Sequence, residues 1–231
     1  MGDVYEELPR RPDDAAAPFG GGGGQSRRAS NPHLEGDEED KEDGNDEDIG
    51  EEEGEIEEEG VTISEEMIMK GASKADSRPG LKETVEGYLA RLTHLTLNEK
   101  NIGRIDQLRM TPGVRVLYLY DNCIRRMHAF DELTKLTHLY LQNNLIERIA
   151  GLERLTNLTK LYLDGNRISY VDGLEKCTRL EELHVSGQRL GAGEELRFSS
   201  TSMEAVGTTL MVLNAAGSGV RDPKPLRELL A

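Results

Sequence analysis

The chain has 231 residues, of which 44 are Asp or Glu and 28 are Lys or Arg, so its formal net charge is −16. One segment carries this charge, because residues 35–60 contain 17 acids and one lysine, a sum of −16. Residues 87–231 are nearly balanced, with 17 acids and 19 bases. No extended basic field exists, so neither nucleic acid nor an anionic membrane is an expected partner.

Residues 1–60 contain eleven glycines and hardly any large apolar side chains. Such a segment cannot bury enough apolar surface to offset the entropy lost on ordering. It is therefore predicted to be a disordered, Gly-rich and acidic leader. The first residues lack the apolar core of a signal peptide, and no run of 18 apolar residues occurs, so a cytoplasmic protein is expected.

Residues 61–91 are predicted to form a helical N-terminal cap. Thr62 and Glu65 have the spacing of a capping box, which favours a helix over residues 65–70. A second helix is expected over residues 81–90. Its apolar side chains would share one face: Leu81, Val85, Tyr88 and Leu89.

From residue 92 to residue 231 the sequence is built of about six repeats with a period of 22 residues. The units read LTHLTLNEKNI, VRVLYLYDNCI, LTHLYLQNNLI, LTKLYLDGNRI and LEELHVSGQRL, and they start at Leu92, Val114, Leu136, Leu158 and Leu180. A sixth, weaker unit starts at Leu210, so the last interval is 30 residues long. The eight extra residues place an insertion at 191–209.

The pattern LxxLxLxxNxL is the signature of leucine-rich repeats. Leu139 and Leu141 are separated by one residue, so they share one face of a short strand. Stacking such strands in parallel buries a leucine core that no single repeat could bury. The sequence therefore predicts an α/β solenoid with a parallel concave sheet. Because the unit is short, 3-10 turns or short helices are expected on the convex side.

An asparagine recurs where the chain leaves each central strand, at Asn122, Asn144 and Asn166. An amide both donates and accepts hydrogen bonds, which suits it to buried turn backbone. These asparagines form a ladder along the repeats. The ladder is expected to lapse in the outer repeats, where Lys100, Gln188 and Ser218 replace the asparagine.

The concave face is defined here by the side chains at offsets two, four and six of each unit, which point away from the core. The predicted protein-binding residues on it are His94, Val116, Tyr118, Tyr120, His138, Tyr140, Gln142, Lys160, Tyr162, Asp164, Glu182 and His184. Tyrosines give large contact area, and a solvent-facing tyrosine ladder exposes apolar surface unless a partner covers it. The alternative is that these aromatic side chains stack only to stabilise the sheet.

Catalytic and metal-binding patterns are not recognisable, so a non-enzymatic protein without a cofactor is expected. Cys123 and Cys177 lack a CxxC spacing and are expected to be reduced and buried. The concave-face histidines come from three repeats and two columns without supporting carboxylates, which does not favour a metal site.

Three segments carry a resemblance to a known family: VLYLYDNCI (116–124), LTHLYLQNN (136–144) and LEELHVSGQRLGAGEELRF (180–198). They resemble the leucine-rich-repeat regulators of protein phosphatase 1, over about residues 67–222. The resemblance implies a regulatory or adaptor subunit that binds the phosphatase catalytic subunit. It also implies a place on the cytoskeleton, at the centrosome or another microtubule-organising centre, on microtubules, or in a cilium or flagellum.

Two features depart from that family. The strings nearest to a basic-Val-x-Phe/Trp docking motif, RVLY at 115–118 and RISY at 167–170, lack the final Phe or Trp and lie inside repeats. The phosphatase contact is therefore expected on the concave face. The family also continues with further repeats, so the open end at Ala231 is expected to reflect a truncated sequence or to be covered.

Two other functions fit the same sequence. A structural protein could bind tubulin or an axonemal complex without acting on a phosphatase. An acidic histone chaperone could use residues 35–60 to bind basic proteins, although that family carries its acidic run after the repeats.

Overall fold

A computed structural model describes residues 60–73, 76 and 79–220 of the chain. The predicted disordered leader lies outside the described residues, apart from Gly60. Among the residues described, no helix has both the length and the apolar character needed to cross a bilayer.

The secondary structure consists of ten short strands, three α-helices and one 3-10 helix within the described ranges. In chain order they are β1 (Val61–Thr62), α1 (Glu65–Gly71), α2 (Val85–Ala90), β2 (His94–Thr96), β3 (Ile102–Arg104), a 3-10 helix (Asp106–Met110), β4 (Val116–Tyr118), β5 (His138–Tyr140), β6 (Lys160–Tyr162), β7 (Tyr170–Val171), β8 (Glu182–His184), β9 (Arg197–Phe198), α3 (Ser200–Val206) and β10 (Val212–Asn214).

Six of these strands form one parallel sheet in the order β10-β8-β6-β5-β4-β2. Each repeat contributes one strand, and the strands pair without a register shift, so that Leu117 lies beside Leu139 and Leu139 beside Leu161. These central leucines are fully buried and belong to one continuous apolar core. The predicted solenoid with a parallel sheet is confirmed.

The first amides of each strand are bound by the preceding repeat. Arg115 N and Val116 N donate to the Thr93 carbonyl at 2.8 and 3.1 Å, and the same pair of bonds recurs at β5, β6, β8 and β10. Strand β2 has no strand before it in the sheet, and the Asp76 carboxylate takes that place. It accepts hydrogen bonds from Thr93 N, Thr93 Oγ1 and His94 N at 2.7 to 3.1 Å.

The asparagines form a second ladder behind the strands. Asn144 Oδ1 accepts from Ile124 N at 3.0 Å, and its Nδ2 donates to the carbonyls of Leu119 and Leu141 at 2.9 and 3.0 Å. The predicted lapse is wrong at Gln188, whose Oε1 accepts from Ile168 N and whose Nε2 donates to the Leu163 carbonyl, both at 2.9 Å. The glutamine side chain is one methylene longer than asparagine, and its amide still reaches the equivalent backbone groups.

Ser218 continues this second ladder as well, because its hydroxyl accepts from Gln188 N at 3.2 Å and donates to the Val185 carbonyl at 2.9 Å. The lapse predicted for Ser218 is therefore also wrong. At Lys100 no side-chain bond of this kind is found, and instead its backbone N donates to Asn122 Oδ1 at 3.0 Å.

The two N-terminal helices begin at residues other than those predicted, or have a different capping residue. Ser64, not Thr62, caps α1 by accepting from Met67 N at 3.2 Å, because Thr62 lies in β1. Helix α2 begins after Thr84, which accepts from Gly87 N at 3.1 Å. Leu81 is fully exposed outside the helix, because the chain at residues 80–83 is closed into a turn.

On the convex side, the 3-10 helix of the first repeat gives way to single turns in the next three. Leu133, Leu155 and Cys177 each donate a backbone hydrogen bond to the residue three positions earlier. The insertion forms β9 and α3, and β9 pairs in parallel with β7, with Arg197 beside Tyr170. The predicted short convex segments are confirmed.

Candidate functional site

All twelve predicted binding residues lie on the concave face in the structure. Nine of them flank the buried central leucine of a strand, and the other three follow two residues after a strand ends. The in-register pairing aligns them into columns, for example Tyr118 beside Tyr140 and Tyr140 beside Tyr162. Their role in binding stays a prediction.

The centre of the concave face is an aromatic stack that runs across four strands. The ring centroids of Tyr118 and Tyr140 are 4.7 Å apart, those of Tyr140 and Tyr162 are also 4.7 Å apart, and their planes differ by 18° and 10°. The ring of His184 continues the stack at 4.5 Å from Tyr162. Tyr120 meets Tyr118 edge to face at 6.4 Å. The stack therefore packs each ring against its neighbours on the adjacent strands.

A charged cluster lies at one end of the stack. The Glu182 carboxylate accepts from Lys160 Nζ at 2.9 Å and from the Tyr162 hydroxyl at 2.5 Å. Burial opposes ionisation of Glu182, but the hydrogen bonds from Tyr162 and Lys160 outweigh it and lower its pKa. The Tyr162 pKa is raised, first by burial and then by its bond to Glu182. The cluster therefore holds a carboxylate beside a neutral phenol.

The next tyrosine in the stack has a different environment. Burial raises the pKa of Tyr140 to about 12, so its hydroxyl is protonated at physiological pH. Tyr140 therefore lies half-buried between two parallel rings and keeps a protonated hydroxyl group.

The histidines beside the stack are held by threonines. Thr93 Oγ1 lies 3.0 Å from His94 Nδ1, and Thr137 Oγ1 lies 2.8 Å from His138 Nδ1. Burial, followed by the nearby Lys160 charge, lowers the pKa of His138, so its imidazole is neutral at physiological pH. Within the described residues, no group of three or more His, Cys, Asp or Glu side chains is arranged to hold a metal ion.

The outermost column of the concave face is polar. Asp164 Oδ1 accepts from Ser186 N at 2.9 Å and from Ser186 Oγ at 2.5 Å, which ties Asp164 to the next repeat. The buried Gln142 Oε1 has no hydrogen-bond donor in the described part of the chain. Asp164 is therefore a positioning residue for the sheet, whereas Gln142 retains an acceptor.

Sequence reasoning missed the threonines and Asp76 as supports of this face. Thr93, Thr137 and Thr159 each stand immediately before a strand, and their recurrence in three of the five units was a detectable signal. Asp76 had no such signal, because its role depends on a loop returning to the first strand.

The two cysteines differ from each other. Cys177 is buried in the core, and burial raises its pKa to about 12. Cys123 is only half-buried, and its Sγ lies 3.1 Å from Asn101 Oδ1. The prediction that both thiols are buried is therefore wrong for Cys123, which follows the ladder asparagine at the edge of a turn.

Comparisons with known proteins point to the same repeat. A sequence model described as "Leucine rich repeat" matches residues 89–146, and one described as "Leucine Rich repeats (2 copies)" matches residues 156–192.

Among solved structures, an internalin (inlF) of Listeria monocytogenes is 24% identical with a TM-score of 0.43. The match covers 66% of this chain and 49% of that one, so this chain spans about half of the internalin. An internalin C2 (inlC2) of the same organism is 21% identical with a TM-score of 0.48, over 71% of this chain and 79% of that one. The in-register strands, the asparagine ladder and the two sequence matches together identify the repeats of this chain as leucine-rich repeats.

Proposed function

We propose that this chain is a non-enzymatic regulatory or adaptor subunit of protein phosphatase 1, and that its concave face binds the phosphatase catalytic subunit. Leucine-rich repeats are typical of protein–protein interaction modules. The finer proposal rests on the resemblance of residues 116–124, 136–144 and 180–198 to the phosphatase regulators and, more narrowly, to protein phosphatase 1 regulatory subunit 42.

The aromatic stack is the observation that carries the proposal. Tyr118, Tyr140 and Tyr162 are held in place by ring contacts 4.7 Å apart, so they lose little side-chain freedom when a partner covers them. Ordered aromatic side chains at the centre of a surface are typical of binding hot spots. The Glu182 and Lys160 pair at the end of the stack adds polar groups that would fix the orientation of the partner.

The surroundings of the string RVLY also favour the concave face over a linear docking motif. Leu117 is fully buried within β4, and Val116 and Tyr118 on either side of it belong to the sheet. Residues held in a central strand cannot detach to lie in the groove of another protein without breaking the sheet.

The test is recovery of the phosphatase catalytic subunit by the full chain and by the triple variant Tyr118→Ala/Tyr140→Ala/Tyr162→Ala. The variant is expected to recover at least tenfold less phosphatase, because it loses three adjacent contacts that each contribute about 1 kcal/mol or more. A matched control places three alanines on exposed convex positions of successive repeats, Lys135→Ala/Arg154→Ala/Lys176→Ala.

A second variant separates the contribution of the aromatic rings from that of their hydroxyl groups. Replacing the three tyrosines by phenylalanine preserves the stacked rings and removes only the hydroxyl groups. Retained binding in this variant and lost binding in the alanine variant would assign the interaction to the rings. Equal recovery by the wild type, the alanine variant and the convex control would contradict the proposed binding face.

We also propose a place on the cytoskeleton, at the centrosome, on microtubules or in a cilium, from the same resemblance. Co-sedimentation of the full chain with microtubules, run beside a phosphatase activity assay, tests this proposal. Sedimentation without any effect on phosphatase activity would favour the structural alternative, in which the chain binds tubulin or an axonemal complex.

A further inference from the structure

A row of arginines lies on the flank of the repeats, away from the concave face. Arg104, Arg126 and Arg148 occupy the same position in three successive units, and Tyr170 and Arg197 follow at the next two. All five side chains are exposed, whereas the residue after each is buried. We call Arg104, Arg126, Arg148 and Arg197 the arginine row.

Backbone hydrogen bonds hold the row in order. Cys123 N donates to the Ile102 carbonyl at 2.9 Å, Leu145 N to the Ile124 carbonyl at 2.9 Å, and Arg197 N to the Ser169 carbonyl at 2.9 Å. Neighbouring strands lie about 4.8 Å apart, so four steps from Arg104 to Arg197 cover roughly 19 Å. The arginine row is therefore a linear feature of fixed spacing.

The first three arginines share one cavity of about 730 Å³, which Arg125 also lines. Two carboxylates lie in the same cavity. Asp106 is engaged by Arg104 at 3.1 Å and by His128 at 2.8 Å, and Glu147 is exposed. The residues that line the cavity include four arginines and two carboxylates, a formal charge of +2 within a repeat region whose overall charge is almost balanced.

Strand β1, which follows the acidic tract in sequence, lies beside the first member of this row. Strand β1 pairs in parallel with β3, and Thr62 lies beside Arg104, the first member of the row. Gly60 has φ of 109°, and a Cβ on it would lie 2.7 Å from both the Asn101 carbonyl oxygen and Gly103 N. The chain at Gly60 is therefore held closely against the unit that carries Arg104.

Residues 53–59 read EGEIEEE and directly precede this point. Seven extended residues reach roughly 23 Å, which is comparable with the length of the arginine row. Five of the seven are glutamates, and Arg is the side chain best suited to bind carboxylates. Nearby acidic residues on the same chain are present at an effective concentration on the order of 1 mM.

We propose that the arginine row is a docking surface for an acidic peptide segment, and that residues 53–59 of this chain occupy it. This interaction surface is separate from the concave face and does not depend on the proposed phosphatase binding. An acidic peptide added from outside would compete with residues 53–59 for the arginines.

The test measures binding of a fluorescent ten-residue glutamate peptide to full-length proteins. In one variant the five glutamates at 53–59 are replaced by glutamine. The matched control neutralises five acids of the tract that lie nearer to the N-terminus: Glu38→Gln, Glu39→Gln, Asp40→Asn, Glu42→Gln and Asp43→Asn. If the row has an intrinsic Kd of about 0.1 mM, competition from 1 mM of tethered segment weakens probe binding about tenfold. The first variant is therefore expected to bind about tenfold more tightly than the wild type, and the control to bind like the wild type.

A second set of variants tests the arginines. Adding Arg104→Gln/Arg126→Gln/Arg148→Gln to the variant neutralised at 53–59 is expected to abolish probe binding, and the corresponding lysine substitutions are expected to restore part of it. A melting curve of each variant shows whether it is folded. Unchanged binding in the folded glutamine variant would overturn the docking surface. Equal tightening by both neutralised tracts would overturn the assignment of residues 53–59, as would equally tight binding by the wild type.

A single-stranded decanucleotide measured in parallel tests the choice of peptide. Among the described residues along the arginine row, the aromatic rings are those of Tyr170 and His128, and His128 is bonded to Asp106, whereas single-stranded nucleic acid binding relies on several stacking rings. The peptide is therefore expected to bind more tightly, and tighter binding of the nucleotide would overturn the proposed ligand class.

Discussion

Replacing Asn144 by alanine removes one link of the asparagine ladder at its centre. Asn144 is fully buried, and its Oδ1 is the one hydrogen-bond acceptor that the described residues provide for the backbone amide of Ile124. The carbonyls of Leu119 and Leu141 lose a bond from Nδ2, but each keeps a second one, from the amides of Asn122 and Asn166 respectively. The substitution therefore orphans one buried donor and removes two further hydrogen bonds. It also removes a longer contact of Nδ2 with the Gln142 carbonyl at 3.3 Å, but that carbonyl keeps a bond from Asp121 N.

The expected cost follows from these counts. An orphaned buried donor costs about 1 to 3 kcal/mol, and each of the two other bonds contributes about 0.5 to 1.5 kcal/mol. The sum is on the order of 4 kcal/mol, which is a large part of the stability of an ordinary domain. Asn144→Gln should cost much less, because Gln188 already makes the equivalent bonds at 2.9 Å.

Urea unfolding, followed by circular dichroism, gives the free energies to compare. Asn98→Ala serves as the control, because within the described part of the chain its side chain makes one bond, an exposed one to Glu99. It should change stability by less than about 0.5 kcal/mol. A loss no larger than the control for Asn144→Ala would refute the reasoning that buried turn amides depend on this side chain.

The other predictions concern single positions. The pKa of Asp76 is lowered because hydrogen bonds from Thr93 and His94 outweigh its burial, so its stabilising effect is present above the unfolded pKa of about 3.9. It is lost as the pH falls through the folded pKa. Asp76→Asn should therefore reduce stability by about 1 to 2 kcal/mol at pH 7 and flatten the acid side of a plot of melting temperature against pH. An unchanged pH dependence would contradict this prediction. Gly60→Ala should accelerate amide hydrogen exchange in β1, because its φ of 109° and 2.7 Å contacts leave no room for Cβ; unchanged exchange at Val61 would argue against this. Iodoacetamide at pH 8 should alkylate Cys123 before Cys177, as checked by peptide mass spectrometry, because the Cys177 pKa is raised to about 12 by burial; the reverse order would be inconsistent with the burial.

The repeat architecture was predictable because each repeat carries the same pattern of apolar residues. Leu117, Leu139 and Leu161 occupy the same offset, so an error at one position would be corrected by its neighbours. The same redundancy predicted the columns of the concave face. The redundancy did not predict which side chains would contact each other, because the stacking of rings 4.7 Å apart depends on side-chain rotamers as well as on strand register.

Positions without repetition were predicted less well. Thr62 and Ser64 both have the side chain of a helix cap, and pairing of β1 with β3 decides between them. Leu81 is apolar, but the turn at residues 80–83 leaves it in solvent. The arginine row was also missed, because averaging charge over residues 87–231 conceals a column at one offset.

The insertion at 191–209 leaves no trace in the main sheet. Strand β10 pairs with β8 in the same register as its predecessors, with Val212 beside Glu182, although 30 residues separate them rather than 22. The additional residues are accommodated by β9 and α3, where β9 extends the opposite side by pairing with β7. The two sides of the repeat array can therefore evolve at different rates, since the flank can gain residues while the spacing of the concave columns stays constant.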